Sequence, residues 1–204
     1  MAAPARGRSR RAEPGRSGIL LTAIDCFTRY GYASASIDRI ARAAGVTKGA
    51  LYYHFKDKEQ LLFAAVTERI GAFEAHVLEQ IEQESGPAER LRAIARICAE
   101  NAIADNHRRF ILTLLVEALD TNDVLSEVFR EMLRRFRGLP RHLIRLGQES
   151  GSFRDDIDAG LASQTFVAGI LGAEVQFYQD PEATDVRRSC DLHADQFLAW
   201  LAVT

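Results

Sequence analysis

No apolar run reaches the roughly eighteen residues a membrane helix needs, so the 204-residue chain is expected to be free of membrane spans. Catalytic and cofactor signatures are missing as well. There is no Gly-x-Ser-x-Gly, no phosphate-cradling glycine loop, no dinucleotide fingerprint and no His-Glu-x-x-His. The five histidines, at 54, 76, 107, 142 and 193, are scattered. His76 and Glu79 share one helix face at i, i+3, a pairing so common on solvated surfaces that it is a weak metal signal. Cysteine is scarce: Cys26, Cys98 and Cys190 are odd in number and far apart. That pattern fits buried, reduced thiols in a cytoplasmic protein rather than a disulfide framework, with redox sensing by one of them as the alternative. These absences argue against an enzyme and call for no metal and no cofactor.

Lysine is absent beyond residue 58. Lys48, Lys56 and Lys58 all fall in the first sixty residues, which carry 11 basic and 5 acidic side chains, a balance of +6; residues 61–204 balance at −8. A near-neutral total of −2 therefore hides a basic head and an acidic body. A basic head suits nucleic acid, with affinity falling steeply with salt, whereas the body would be repelled by it. The first 17 residues are rich in Ala, Arg, Gly and Pro, with Arg6, Arg8, Arg10, Arg11 and Arg16 against Glu13 alone. No apolar stretch follows the arginines before an amphipathic helix begins near Gly18, so this is no signal peptide. It reads as a disordered basic arm, either a solvated tail or a strand that follows the DNA backbone or minor groove.

What is present centres on residues 36–55. Ser36 is a good N-cap, and Ile37, Ile40, Ala41 and Ala44 recur at i, i+3, i+4 and i+7 on one helix face. Gly45 supplies the left-handed residue that ends the helix, and Val46 can plug the corner. Thr47 caps a second helix whose Leu51 and Phe55 point back at the first. Small Ala41 permits the close crossing, so the pair reads as a helix-turn-helix. Its outward face holds Lys48, Gly49, Tyr52, Tyr53 and His54. Free N–H groups at that helix start favour a phosphate or base acceptor, and glycine lets the backbone come close. With Ser36, Thr47 and Lys58 these residues form the candidate DNA-binding set.

The run from Gly31-Tyr32 through Ala44-Gly45-Val46-Thr47-Lys48-Gly49 and Leu51-Tyr52-Tyr53-His54-Phe55 to Lys58-Glu59-Gln60-Leu61 closely resembles the DNA-binding domain of the tetracycline-repressor (TetR) family of bacterial regulators. The resemblance covers about residues 17 to 62. It implies a two-fold dimer, repression as the usual behaviour, and a ligand that varies from member to member.

The rest of the chain reads as helix throughout, making the protein all-α with nine to ten helices: a basic arm at 1–17, a three-helix DNA-binding domain at 18–62 and a helical ligand-binding and dimerisation domain at 63–204. Leu20, Ile24, Phe27 and Tyr30 space a first helix that Gly31 terminates. Asp57 caps a long one that runs to about Gln83 and spans roughly 40 Å, long enough to belong to both domains. Helical patterns follow at 88–104, 106–119, 122–149, 158–179 and 185–202. Pro140 should kink or split the third of these.

Polar residues within apolar helices are the candidate ligand contacts, Asn101, His107, Thr113, Glu117, Gln164, Thr165, Glu174, Gln176 and Tyr178, and apolar Phe110 is a further candidate. Glu117 and Glu174 suit either a cationic ligand or a partner arginine. The segment 158–179 is apolar on more than one face, and its small residues let another helix approach. Phe166, Gly169, Ile170, Gly172 and Ala173, with Phe197, Trp200 and Leu201 of the last helix, are the candidate dimer interface, an intersubunit four-helix bundle implied by the resemblance. The expected function is a repressor that binds a palindromic operator in double-stranded DNA as a homodimer and is released by a small-molecule effector. The alternative is a DNA-binding adaptor or architectural protein whose body binds another protein. An enclosed cavity in the body would favour the first.

Overall fold

The structure is a computed structural model. It describes the backbone of residues 15–121 and 123–203 and, within these, every side chain except 117–121 and 123–125. Nine helices occur among the described residues: α1 Arg16–Ser34, α2 Ile37–Ala44, α3 Lys48–His54, α4 Lys58–Ile81, α5 Pro87–Ala104, α6 Asn106–Thr121, α7 Asp123–Glu149, α8 Ala159–Gln179 and α9 Val186–Leu201. The only extended pairing among them is a single antiparallel bridge between Phe153 and Ala202. None of these helices is long and apolar enough to cross a membrane.

Local chemistry sets most of the boundaries. Ser36 Oγ accepts from Arg39 N at 3.2 Å, Thr47 Oγ1 from Ala50 N at 3.0 Å and Asp57 Oδ1 from Gln60 N at 2.8 Å. Asp158 and Asp185 cap α8 and α9 in the same way. Gly45 adopts φ 70°, the left-handed cap that stops α2, and Val46 N then donates back to Ala41 O. Gly31, at φ 74°, interrupts α1 as expected, although one further turn continues to Ser34.

Two expectations change. Arg16 and Ser17 belong to α1 rather than to a disordered arm, and the Arg16 guanidinium lies over the Phe55 ring; the first fourteen residues lie outside those described. Pro140 sits inside α7 without splitting it. The lost hydrogen bond is outweighed by burial on both sides of it, where Phe129, Met132, Leu143 and Ile144 are almost fully covered.

The chain divides into two compact units, residues 1–68 and 69–204, with the division falling inside α4, slightly beyond the expected boundary at 62. In the N-terminal unit, α1 packs on α2 and α2 on α3 around Phe27, Ile40, Leu51 and Phe55. In the C-terminal unit, α5 packs on α7 and α9, and α8 lies between α7 and α9. Its core runs from Phe73 and Val77 through Leu91 and Ile144 to Phe166, Phe197 and Leu201. His193 lies so close to α8 that a Cβ on Gly169 would come within 2.2 Å of its ring, so glycine is required there.

Candidate functional site

The N-terminal unit presents α3 as expected. Leu51 and Phe55 are buried, which turns the opposite face outward: Tyr53 is 86% exposed, Tyr52 is half exposed, and His54 meets Tyr53 edge to face. Lys48 Nζ lies 3.0 Å from Asp38 on α2, an ion pair open to solvent that holds the cation at the start of α3. Its hydrogen bond to the Asp38 carboxylate raises the Lys48 pKa further above its ordinary value. Ser36 and Thr47 are exposed and spend their oxygens on capping, which leaves their O–H groups free to donate. Lys58 is not a free cation. Its Nζ donates to Ala33 O at 3.2 Å and sits 4.3 Å from the centre of the Tyr32 ring, and burial lowers its pKa. Sequence periodicity could not show this, because the partners lie on α1.

Gly49 is informative by what does not surround it. A Cβ there would meet only Thr47 Oγ1, at 3.9 Å, and the residue is exposed and helical. Nothing inside the unit requires glycine.

The C-terminal unit contains a cavity of about 270 Å3. Its wall is mostly apolar: Phe73, Val77 and Leu78 of α4, Ile94 and Cys98 of α5, Phe136, Leu139 and Pro140 of α7, and Val167, Ile170 and Leu171 of α8. Three charged side chains join it, namely Glu74, Arg108 and Arg135. Of the ten residues expected to bind ligand, none of the nine whose side chains are described lines this cavity. Glu174 comes nearest: it is fully buried behind the wall and bonds Arg108 at 2.7 Å. His107 pairs with Asp105 at 2.9 Å, and Asp105 also holds Arg69. Asn101 borders a cleft too small for a ligand. Phe110 is half-buried off the wall, and Thr113 and Gln164 are exposed, as are Thr165 and Gln176. Tyr178 is half-buried with its hydroxyl shut away from any partner. The side chain of Glu117 lies outside the described residues. The search for polar residues failed because the cavity is apolar, and its charged members sit in helices where they look like ordinary surface charges.

Burial pushes the Cys98 and Cys190 thiols up to about 12, far from the range of a reactive thiolate. Cys98 therefore contributes to the wall as an apolar group.

The expected dimer residues divide in two. Phe166, Ile170, Ala173, Phe197 and Leu201 are buried within the protomer, and Gly169 is occupied by His193. Gly172 and Trp200 are exposed. The outer face of α8 instead carries Leu161, Thr165, Ala168, Gly172 and Val175, spaced 4, 3, 4 and 3, all exposed, and α9 adds Leu192, Ala199 and Trp200.

A two-helix reading motif on one unit and a ligand-sized apolar cavity in the other define a DNA-binding regulator with a separate sensory body. Residues 19–65 match the profile of bacterial regulatory proteins of the tetR family, and residues 87–201 match that of the BetI-type transcriptional repressor, C-terminal. The chain belongs to the TetR family and is a transcriptional regulator. It is 28% identical over 146 residues to the fatty acid metabolism regulator protein of Bacillus subtilis (strain 168), covering 72% of this chain and 74% of that one. It is 35% identical over 115 residues to the HTH-type transcriptional regulator AcrR of Shigella flexneri, about half of each protein. The crystal structure of FadR from Bacillus subtilis in complex with stearoyl-CoA superposes with a TM-score of 0.77 at 21% identity, covering 90% of this chain and 98% of that one, and so shares the fold.

Proposed function

We propose that the protein is a repressor that binds a palindromic operator as a homodimer through α3 and lets go when a small molecule fills the cavity of the C-terminal unit. The cavity carries this reading. A pocket of about 270 Å3 leaves an apolar wall uncovered, and an effector of matching shape gains by burying it. Four wall residues, Phe73, Glu74, Val77 and Leu78, lie on α4, whose first turns belong to the DNA-binding unit. An effector that favours a different placement of α4 shifts the population away from the DNA-binding state. The heptad-spaced face of α8, with α9, supplies the two-fold contact. Two copies of α3 then read half-sites about 34–36 Å apart, which one copy cannot do. Such a protein acts in the cytoplasm, beside the chromosome.

A footprint of the purified protein on the DNA upstream of its own gene, with and without a small-molecule extract of the source cells, tests the reading. Protection of a palindrome that the extract abolishes is expected. Protection by a protein that sediments as a monomer, or protection that no extract or compound library alters, would overturn it.

A further inference from the structure

The cavity wall holds one polar atom left without a partner. Glu74 lines the cavity, and its Oε2 takes the guanidinium of Arg135, while its Oε1 is closed to solvent and accepts no hydrogen bond. The other charged groups of the wall are engaged. Arg108 holds both oxygens of Glu174, and Arg135 is half in water beyond its bond to Glu74. Around Glu74 the surface is aromatic and aliphatic, with Phe73 and Phe136 edge to face at 6.2 Å. A buried acceptor beside an apolar void is a defect that an incoming donor repairs. The terminal torsion of a glutamate is broad and roughly two-fold, which leaves the carboxyl free to turn Oε1 toward an incoming donor.

We propose that the effector is an apolar molecule of about two rings that carries a hydrogen-bond donor, an O–H or N–H received by Glu74 Oε1. This inference rests on the reading of the cavity as the effector site. Size follows from comparison: an engineered cavity of about 150 Å3 holds one benzene, so about 270 Å3 has room for roughly a second ring. The donor follows from the orphaned oxygen. A carboxylate-headed ligand is disfavoured, because its charge would lie beside that of Glu74, and both guanidinium groups of the wall already hold carboxylates, Arg108 that of Glu174 and Arg135 that of Glu74.

The test titrates the purified full-length protein by calorimetry with three bicyclic probes: 2-naphthol, which donates; 2-methoxynaphthalene, which has a similar shape and cannot; and 2-naphthoate. Burial alone favours the ether, so the order of the first two is diagnostic. Naphthol is expected to bind about tenfold tighter than the ether, the discrimination a hydrogen bond to a charged acceptor gives, with naphthoate weakest. Glu74→Met is expected to reduce the naphthol-to-ether ratio about tenfold while leaving the ether affinity near its original value. If that variant does not fold, Glu74→Gln, which removes the charge, should reduce the ratio in the same direction, and the order in the wild-type protein decides independently. An ether that binds as tightly as naphthol, a naphthoate that binds tightest, or a ratio that persists in Glu74→Met overturns the donor assignment. If the ether still releases DNA in that event, the effector site itself stands. If none of the probes binds, the two-ring donor assignment falls, and the cavity reading is decided separately by whether the cellular extract releases the operator.

Discussion

Arg108 and Glu174 meet fork to fork inside the C-terminal unit, with Nε and Nη2 of the arginine reaching both carboxylate oxygens at 2.7 to 3.2 Å. Glu174 is fully buried and Arg108 nearly so, and the guanidinium lies 5.5 Å from the centres of both Phe73 and Phe136. The pair ties α6 to α8 at the cavity wall. Burial works against a charged Arg108, but the carboxylate opposite more than offsets it, so the arginine pKa is raised.

Removing one member leaves a buried charge without its counter-ion. Glu174→Leu or Arg108→Met alone is expected to lower stability by about 3–5 kcal/mol, while the double substitution recovers most of the loss because two apolar side chains of similar size tolerate the same site. Urea unfolding of the four proteins measures this. Single variants within about 1 kcal/mol of the parent would show that water reaches the pair and that it is not the sealed contact described.

Gly49 separates folding from DNA binding. A methyl group there meets open space, so Gly49→Ala should stabilise the isolated protein by about 0.4–1 kcal/mol through reduced freedom of the unfolded chain and a better helix former in α3. With the start of α3 against the duplex, as proposed, the same methyl would stand between the backbone and the phosphate or base edge, so operator affinity is expected to fall at least tenfold. A variant that is both more stable and fully competent on DNA would show that the backbone at 49 does not approach the duplex.

These features were unequally legible in the sequence. The α2–α3 corner could be read residue by residue, because Ser36, Gly45 and Thr47 act within a turn or two of themselves. The outcome at Lys58 depended on Tyr32 and Ala33, whose position relative to it is set by the fold. Helix α8 was recognised as apolar on several faces, but periodicity does not say which face turns inward when all are apolar. Phe166 and Ile170 went to the core, and Leu161 and Val175 stayed outside. The cavity was hidden for a related reason: a void is an absence of side chains, contributed by five helices, and no one segment records it.

The sorting of α8 gives two substitutions with opposite signatures. Leu161→Glu combined with Val175→Glu places charge on the exposed seam, 63% and 44% accessible in the parent, and is expected to yield a folded monomer that no longer protects the operator. Phe166→Ala, three residues from Gly169 but fully buried, should instead lower stability by about 3–5 kcal/mol without selectively dissociating the dimer. Sedimentation and thermal unfolding distinguish the two. A dimer that survives both glutamates would move the interface away from this face of α8.

Filling the void is the most direct way to uncouple sensing from DNA binding. Val167 lines the cavity from α8, and Val167→Phe would place a ring in space that the parent leaves empty. Overpacking normally costs about 1–3 kcal/mol, but here the added atoms have about 270 Å3 to enter, so thermal stability is expected to hold or rise. The operator footprint should persist at unchanged protein concentration, because release requires a different placement of α4, and a ring carried by α8 that fits the void as it stands leaves α4 where it is. Release should be lost: the cellular extract, and 2-naphthol in calorimetry, would find the site occupied by the protein's own side chain. A variant that remains fully releasable would place the effector elsewhere, and one that no longer binds DNA would mean that filling the cavity is itself the signal, with phenylalanine acting as a built-in effector.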